Sequence, residues 1–314
     1  MSCRAFVVAF TCALALTLAS SAVAQTVQGV VDQVSQTTYT HYLDDLLYTH
    51  LGDNRGSSGP EHDLARGNIL DHFTGLGLDT GLDAFSYDGG TYYNVVGVQT
   101  GLTRPDDIYI VGAHYDSVSN PGADDNASGT AGVMEAARVL SQYAFEATII
   151  YIAFDLEELG LLGSIAYAAD HSGDNILGMV SLDMIAYNHN GGNAARIYGR
   201  DASTPVKYDL RDAMALYGGG ITTTINAQFD ASDHAPFEWQ GFQACLLIEA
   251  GGNPYYHQSQ DSVDTANYID YAYATNMVRG TVGYLATAAI IVIPEPGIIM
   301  IIALGAVALF RSRR

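Results

Sequence analysis

Five segments of the chain each carry a side chain able to bind a hard or borderline metal ion. They are His114 in Gly112-Ala113-His114-Tyr115-Asp116-Ser117, Asp124 in Gly122-Ala123-Asp124-Asp125-Asn126, the pair Glu157-Glu158, Asp183 in Leu182-Asp183-Met184, and His257 in Tyr255-Tyr256-His257. Two imidazoles and three carboxylates suffice to hold two zinc ions, and a further carboxylate is left over as a base. That combination serves metal-assisted hydrolysis.

The elements that must position these side chains are written around them. Ile108–Ala113 is an apolar run of strand length followed directly by His114. Thr148–Phe154 is a second, ending just before Asp155-Leu156-Glu157-Glu158, and Met179–Leu182 is a third, closed by Asp183. Continuous β-branched and aromatic runs separated by helical stretches predict strands buried on both faces of a mostly parallel sheet. Ligands of such sheets bind outside the carboxyl ends of the strands. All five segments are therefore expected at strand ends, converging in one cleft.

A coarse pass predicts a helical start over Val27–Leu51, then a helix from Glu61 to Leu76 with Pro60 in its first turn. Tyr92–Gln99 and Ile108–Ala113 read as neighbouring strands joined by a turn-rich stretch. Further helices are expected over Ser128–Gln142, Gly160–His171, Ala202–Leu216 and Tyr268–Ala289. The fold class that follows is α/β: a three-layer sandwich with a mixed, mostly parallel central sheet flanked by helices.

Two strings are distinctive, Gly-Ala-Asp-Asp-Asn-Ala-Ser-Gly from Gly122 and Glu-Glu-Leu-Gly-Leu-Leu-Gly-Ser from Glu157. With them, the segments from Tyr92 to Asp261 resemble, in order and context, the co-catalytic zinc aminopeptidase family. That family includes secreted bacterial leucine aminopeptidases and is related to glutamate carboxypeptidase and glutaminyl cyclase. The resemblance implies two zinc ions per chain, with Asp124 bridging them, His114 and Asp183 completing one, and Glu158 and His257 completing the other. Glu157 is then the general base, and Tyr256 the donor that stabilises the tetrahedral oxyanion. Asp116 is expected to orient the His114 imidazole, and Asp233, in Ser232-Asp233-His234, to stand behind the ligands. Asp125 receives no metal role and is expected to shape the turn. His41, His50, His62, His72, His171 and His189 lack metal spacing and are expected at the surface.

The expected activity is removal of N-terminal residues from peptides. A carboxypeptidase gathers arginines for the substrate carboxylate, and only Arg196 and Arg200 lie close together after the site begins to assemble. Glutaminyl cyclases use one zinc and usually alter the ligand set, and non-catalytic relatives lose ligands; the set here is intact.

The ends of the chain add an address. Arg4, an apolar stretch from Ala5 to Ala19 and the exit Ala22-Val23-Ala24 predict a secretory signal over residues 1–24, cleaved before Gln25. At the other end, Pro294-Glu295-Pro296, an apolar run from Gly297 to Phe310 and the basic Arg311-Ser312-Arg313-Arg314 resemble the PEP-CTERM sorting signal of Gram-negative bacteria. That resemblance implies an exosortase-type processing enzyme as partner, transient membrane association through the tail, and release at or outside the cell surface. The competing reading is a plain C-terminal anchor. Residues 25–293 remain as one peptidase domain. Cys245 is its only cysteine, which excludes an internal disulfide and suits a small buried apolar residue. The net charge of −21 becomes about −24 without the two end segments, which excludes nucleic acid as a partner.

Overall fold

The computed structural model describes residues 27–57 and 59–292. The expected signal over 1–24 and sorting signal over 294–314 lie outside the described residues. Among the described residues no helix is long and apolar enough to cross a membrane.

The apolar runs form the middle of one eight-stranded sheet. Its strands are β1 (Asp79–Tyr87), β2 (Gly90–Gln99), β3 (Arg104–His114), β4 (Ala147–Phe154), β5 (Asn175–Leu182), β6 (Ala194–Tyr198), β7 (Thr222–Ile225) and β8 (Ala244–Glu249), in the order β1-β2-β4-β3-β5-β8-β6-β7. The central four, β4, β3, β5 and β8, are parallel, as are β6 and β7. The β1–β2, β2–β4 and β8–β6 pairs are antiparallel. The helices are α1 (Gln36–His41), α2 (Pro60–Gly75), α3 (Gly129–Leu140), α4 (Leu162–Asp170), α5 (Thr204–Tyr217), α6 (His234–Trp239) and α7 (Tyr271–Ala288).

All eight residues of β4 are buried, because helices cover both faces of the sheet. Ile149 and Tyr151 point into the larger core with Val111, Val180, Phe73 of α2, Met134 of α3 and Val278 of α7. Ile150, Ile152 and Phe154 turn the other way, onto Tyr167 of α4 and Phe237 of α6. Each large apolar side chain buried this way contributes about 1.5–3 kcal/mol relative to exposure. The doubly covered central strands thus form a stiff platform, and three of them end at the candidate ligands. Helix α3 lies close on β5 because Gly129 and Gly132 leave room: a Cβ on Gly129 would strike the Leu182 carbonyl, and one on Gly132 would lie 3.1 Å from Leu182 Cδ1.

Three expectations are corrected. The helical start is broken: residues 27–31 form a short helix, and Ser35 Oγ then accepts the Thr38 N–H at 3.3 Å to begin α1 afresh. β2 and β3 are not neighbours, since β4 lies between them and pairs with both; sequence proximity does not specify pairing when a crossover intervenes. The edge strands β1 and β7 were not expected, for both are largely polar and exposed and carry no apolar run.

Candidate metal centre and active site

His114 is the last residue of β3, where Ala113 and His114 pair with Ala153 and Phe154 of β4. Glu157 and Glu158 follow β4 on a tight turn closed by Gly160 N–H and Leu161 N–H, which both donate to the Glu157 carbonyl at 2.8 Å. Gly163 is required where this turn folds back, because a Cβ there would strike Asp155 and Asn94. Asp183 follows β5, its N–H donating to the Leu247 carbonyl of β8 at 3.2 Å. His257 does not end a strand: it sits in a turn eight residues past β8, with φ of 58°. The Ala123–Ser128 turn is likewise not a strand end but leads into α3.

The structure brings His114, Glu157, Glu158, Asp183 and His257 together as expected, but it does not bring Asp124 to them. Asp125, not Asp124, faces the cluster. His114 Nε2 lies 3.4 Å from Asp125 Oδ1 and 3.7 Å from Asp183 Oδ1. His257 Nε2 lies 3.1 Å from Asp125 Oδ2 and 3.3 Å from Glu158 Oε2. Two donors on one tetrahedral zinc, each at about 2.0–2.1 Å, are about 3.3 Å apart. The contacts thus describe two half-sites sharing the two oxygens of Asp125, and both triads, His114–Asp125–Asp183 and Asp125–Glu158–His257, have a metal-binding arrangement.

Asp124 is engaged elsewhere. Its Oδ1 accepts the Ala186 N–H and its Oδ2 the Asn253 amide, each at 2.8 Å. Asp125 has φ −105° and ψ 91°, a break from helical geometry inside the turn, and extended backbone sends successive side chains to opposite sides. Nothing in the string Asp124-Asp125 shows which carboxylate faces inward. Asp261, left without a catalytic role on sequence, holds this turn: its two oxygens accept the N–H groups of Asp124 and Asp125 at 2.7 and 3.1 Å.

The donor set fits divalent cations on a further count. Asp125 Oδ2, Glu158 Oε1 and Asp183 Oδ1 are buried without a hydrogen-bond partner, a costly state for charged oxygens unless a cation compensates them. Protons are held abnormally throughout the cluster. Burial opposes charging His114, yet Glu157, Asp116, Asp125 and Asp183 together raise its pKa well above the usual imidazole range. Burial works to raise Asp125, but the two neighbouring imidazoles hold it down at about 2. Burial, reinforced by Asp125, pushes Glu158 up to about 8, and burial pushes Glu157 well above the carboxylate range. The positive charge this site calls for is of the kind metal ions supply.

Glu157 lies 3.9 Å from His114 Nε2; it belongs to neither of the two Asp125 triads but forms a third group of possible metal donors with His114 and Glu158. Asp116 meets His114 through two atoms: its carbonyl is 3.2 Å from His114 Nδ1 in a hydrogen bond, where the carboxylate was expected to accept. Its Oδ1 lies 3.3 Å from His114 Nδ1, and its carboxylate also accepts the N–H groups of Glu157 and Glu158 at 3.1 and 3.2 Å. One carboxylate thereby aligns a candidate ligand from β3 with two groups from the loop after β4. Asp233, at the start of α6, is fully buried, and burial pushes it up to about 7. Tyr256 stacks on His257 at 3.8 Å between ring centroids and lines a cleft of about 390 Å³ together with the cluster.

Two structural residues escaped sequence reasoning. His62, expected at the surface, is buried and contacts Asp155 Oδ1 at 2.7 Å, tying α2 to the base of the Glu157 loop. Arg55 is also fully buried, and its guanidinium donates to the carbonyls of Tyr48, Tyr115, Pro121 and Gly122. Both lie in stretches that read as surface helix and polar loop, so local pattern carries no signal of their burial. Cys245 is buried in β8, where burial raises its pKa.

Comparison with known proteins follows the same lines. Residues 94–282, more than half of the chain, match the model of peptidase family M28. Aminopeptidase YwaD of Bacillus subtilis is 31% identical over 191 residues, which are 57% of this chain and 41% of that protein. The chain thus spans less than half the length of that relative. BSAP, a zinc aminopeptidase from Bacillus subtilis, has the same fold, with a TM-score of 0.69 over 82% of this chain and 95% of that one at 17% identity. Porphyromonas gingivalis glutaminyl cyclase shares it as well, with a TM-score of 0.67 over 81% and 98% of the two chains at 18% identity. The structural likenesses establish the fold, and the extent of the family match establishes the lineage: this chain belongs to peptidase family M28.

Proposed function

We propose that the protein is an exported di-zinc aminopeptidase. The observation that carries the reading is the pair of half-sites about Asp125, each with donor separations suited to one tetrahedral ion. His114, Asp125 and Asp183 would hold one zinc, and Asp125, Glu158 and His257 the other. When bound, the ions polarise the scissile carbonyl and acidify water.

The chain's own groups do the rest. Glu157 takes a proton from the attacking water as its oxygen bonds to the carbonyl carbon, and returns that proton to the departing amine as the C–N bond breaks. The Tyr256 hydroxyl, at the cleft wall, donates to the oxyanion. Asp116 holds His114 and the Glu157–Glu158 backbone in register, and Asp233 supports the site from behind. Glu158 and Asp183 present negative charge to the substrate's α-ammonium, which favours N-terminal trimming.

The fold is also that of a glutaminyl cyclase, but two complete half-sites favour peptide hydrolysis. A carboxypeptidase is disfavoured because Arg200 is engaged with Asp230 at 2.8 Å and lies 3.6 Å from Glu238, leaving no arginine pair. Export rests on the features of the two ends: a signal cleaved before Gln25, and a tail taken by an exosortase-type enzyme after transient membrane association. Peptides outside a Gram-negative cell are then the substrates.

The test counts zinc in purified protein alongside release from amino-acid anilides, with Glu157→Gln as control. About two zinc per chain in both proteins, with turnover lost only in the variant, is the expected result. One zinc or none after reloading, or unaltered turnover in Glu157→Gln, overturns the assignment.

A further inference from the structure

The cleft contains a cation with no carboxylate partner among the described residues. Every other described basic side chain is committed. Arg66, Arg104, Arg138, Arg200 and Arg211 have carboxylate partners. Arg55 and Lys207 are buried against backbone carbonyls, Lys207 Nζ donating to Gly199 at 2.7 Å, and Arg279 donates to Asn276. Those three have no carboxylate partner either, but of the described arginines and lysines Arg196 is the one that lines the cleft, where it has no ion pair and a single 3.4 Å hydrogen bond to the Tyr198 hydroxyl.

Its position gives the exception meaning. Arg196 lies in the middle of β6, opposite Ile248 of β8, and Tyr198 follows two residues later on the same face. Arg196, Ile248 and Tyr198 line the same cleft as His114, Asp125, Glu158 and Asp183. Tyr198 packs on Phe229 at 5.0 Å between centroids, and Met184, directly after Asp183, completes an apolar wall. A substrate lying in this cleft therefore meets carboxylates at one end and, beyond an apolar stretch, a guanidinium with its donors free.

We infer that Arg196 forms an anion subsite that selects peptides bearing a carboxylate near the scissile bond. The inference rests on the peptidase reading and refines its substrate class. A guanidinium binds a carboxylate through two parallel N–H···O bonds, and a neutral amide of the same shape cannot reproduce that interaction. The carboxylate has two possible sources: an acidic side chain on the N-terminal residue, or the free C-terminus of a short peptide.

The experiment compares matched pairs on the full zinc-loaded protein, wild type against Arg196→Met and Arg196→Lys. Glutamyl against glutaminyl anilide isolates the side-chain source, and Leu-Gly against Leu-Gly amide isolates the terminal one. The expected result is a kcat/KM ratio of at least about tenfold within one pair, reduced toward unity by Arg196→Met and partly kept by Arg196→Lys. The pair showing the ratio names the source. Ratios near unity in both pairs, or ratios that Arg196→Met leaves unaltered, overturn the subsite while leaving the peptidase intact. Should no substrate be cleaved, the peptidase reading falls. Calorimetry with glutamate against glutamine and with Leu-Gly against its amide then judges Arg196 alone, since binding weakened by Arg196→Met upholds the subsite and equal binding rejects it.

Discussion

Replacing Asp125 with asparagine keeps the size of the side chain and removes the one negative charge set between His114 and His257. Its two oxygens stand 3.4 and 3.1 Å from the Nε2 atoms of those imidazoles, so each half-site depends on one of them. An amide has a single acceptor oxygen, and at least one half-site loses its shared donor. Loss of an outer partner of a ligand typically costs about 10–100-fold in metal affinity; loss of the ligand itself should exceed the upper figure, or more than about 2.7 kcal/mol. The matched control is Asp124→Asn. That amide still accepts the Ala186 N–H, but its other end then places a donor against the Asn253 amide, whose hydrogen bond to Asp124 Oδ2 is lost. The cost there is stability, about 1–3 kcal/mol for a buried polar group left unpaired. Zinc titration against a chromophoric chelator, with urea unfolding of the zinc-loaded proteins, separates the two effects. Asp125→Asn should bind fewer than two zinc tightly, and Asp124→Asn should keep both and unfold earlier. The reverse pattern, zinc lost from Asp124→Asn and retained by Asp125→Asn, would refute the bridging geometry.

Asp116→Asn leaves one of the Glu157 and Glu158 N–H groups without its acceptor, and zinc affinity should fall about 10–100-fold; an unaltered titration curve counts against its aligning role. Tyr256→Phe should lower kcat by about 100-fold with little change in KM if the phenol meets the oxyanion, and stopped assays at saturating substrate decide it. Burial lowers the His234 pKa to about 4 in the folded protein, and the unfolded imidazole titrates at about 6.5. The unfolded state therefore takes up the proton first on acidification. The resulting loss of stability is absent above about pH 7 and grows as pH falls from about 6.5 to 4, to about 3 kcal/mol. His234→Asn should flatten that part of the urea-midpoint profile, and an unchanged slope would show that another group controls it.

Much of the architecture was legible because the strands that matter are the ones buried twice. Ile108–Ala113, Thr148–Phe154 and Met179–Leu182 cannot be surface segments, and their ends mark the cleft whatever the neighbouring loops do. The edge strands β1 and β7 face solvent over most of their length and leave no comparable mark. The order of the sheet was less accessible, since inserting β4 between β2 and β3 is a matter of crossover and not of local pattern.

The residue types alone determined that His114, Glu157, Glu158 and Asp183 would meet at or just past strand ends, because few other arrangements place such groups directly after apolar runs. They did not determine which of two adjacent aspartates faces inward. That depends on the non-helical backbone at Asp125 and Asn126 in the turn before α3, held by Asp261 from 136 residues away. Nor could they show that His62 and Arg55 are buried, or that Arg196 lines the cleft without an ion pair among the described residues. Those outcomes depend on which distant groups come within hydrogen-bonding reach, and only the packed tertiary structure sets those distances.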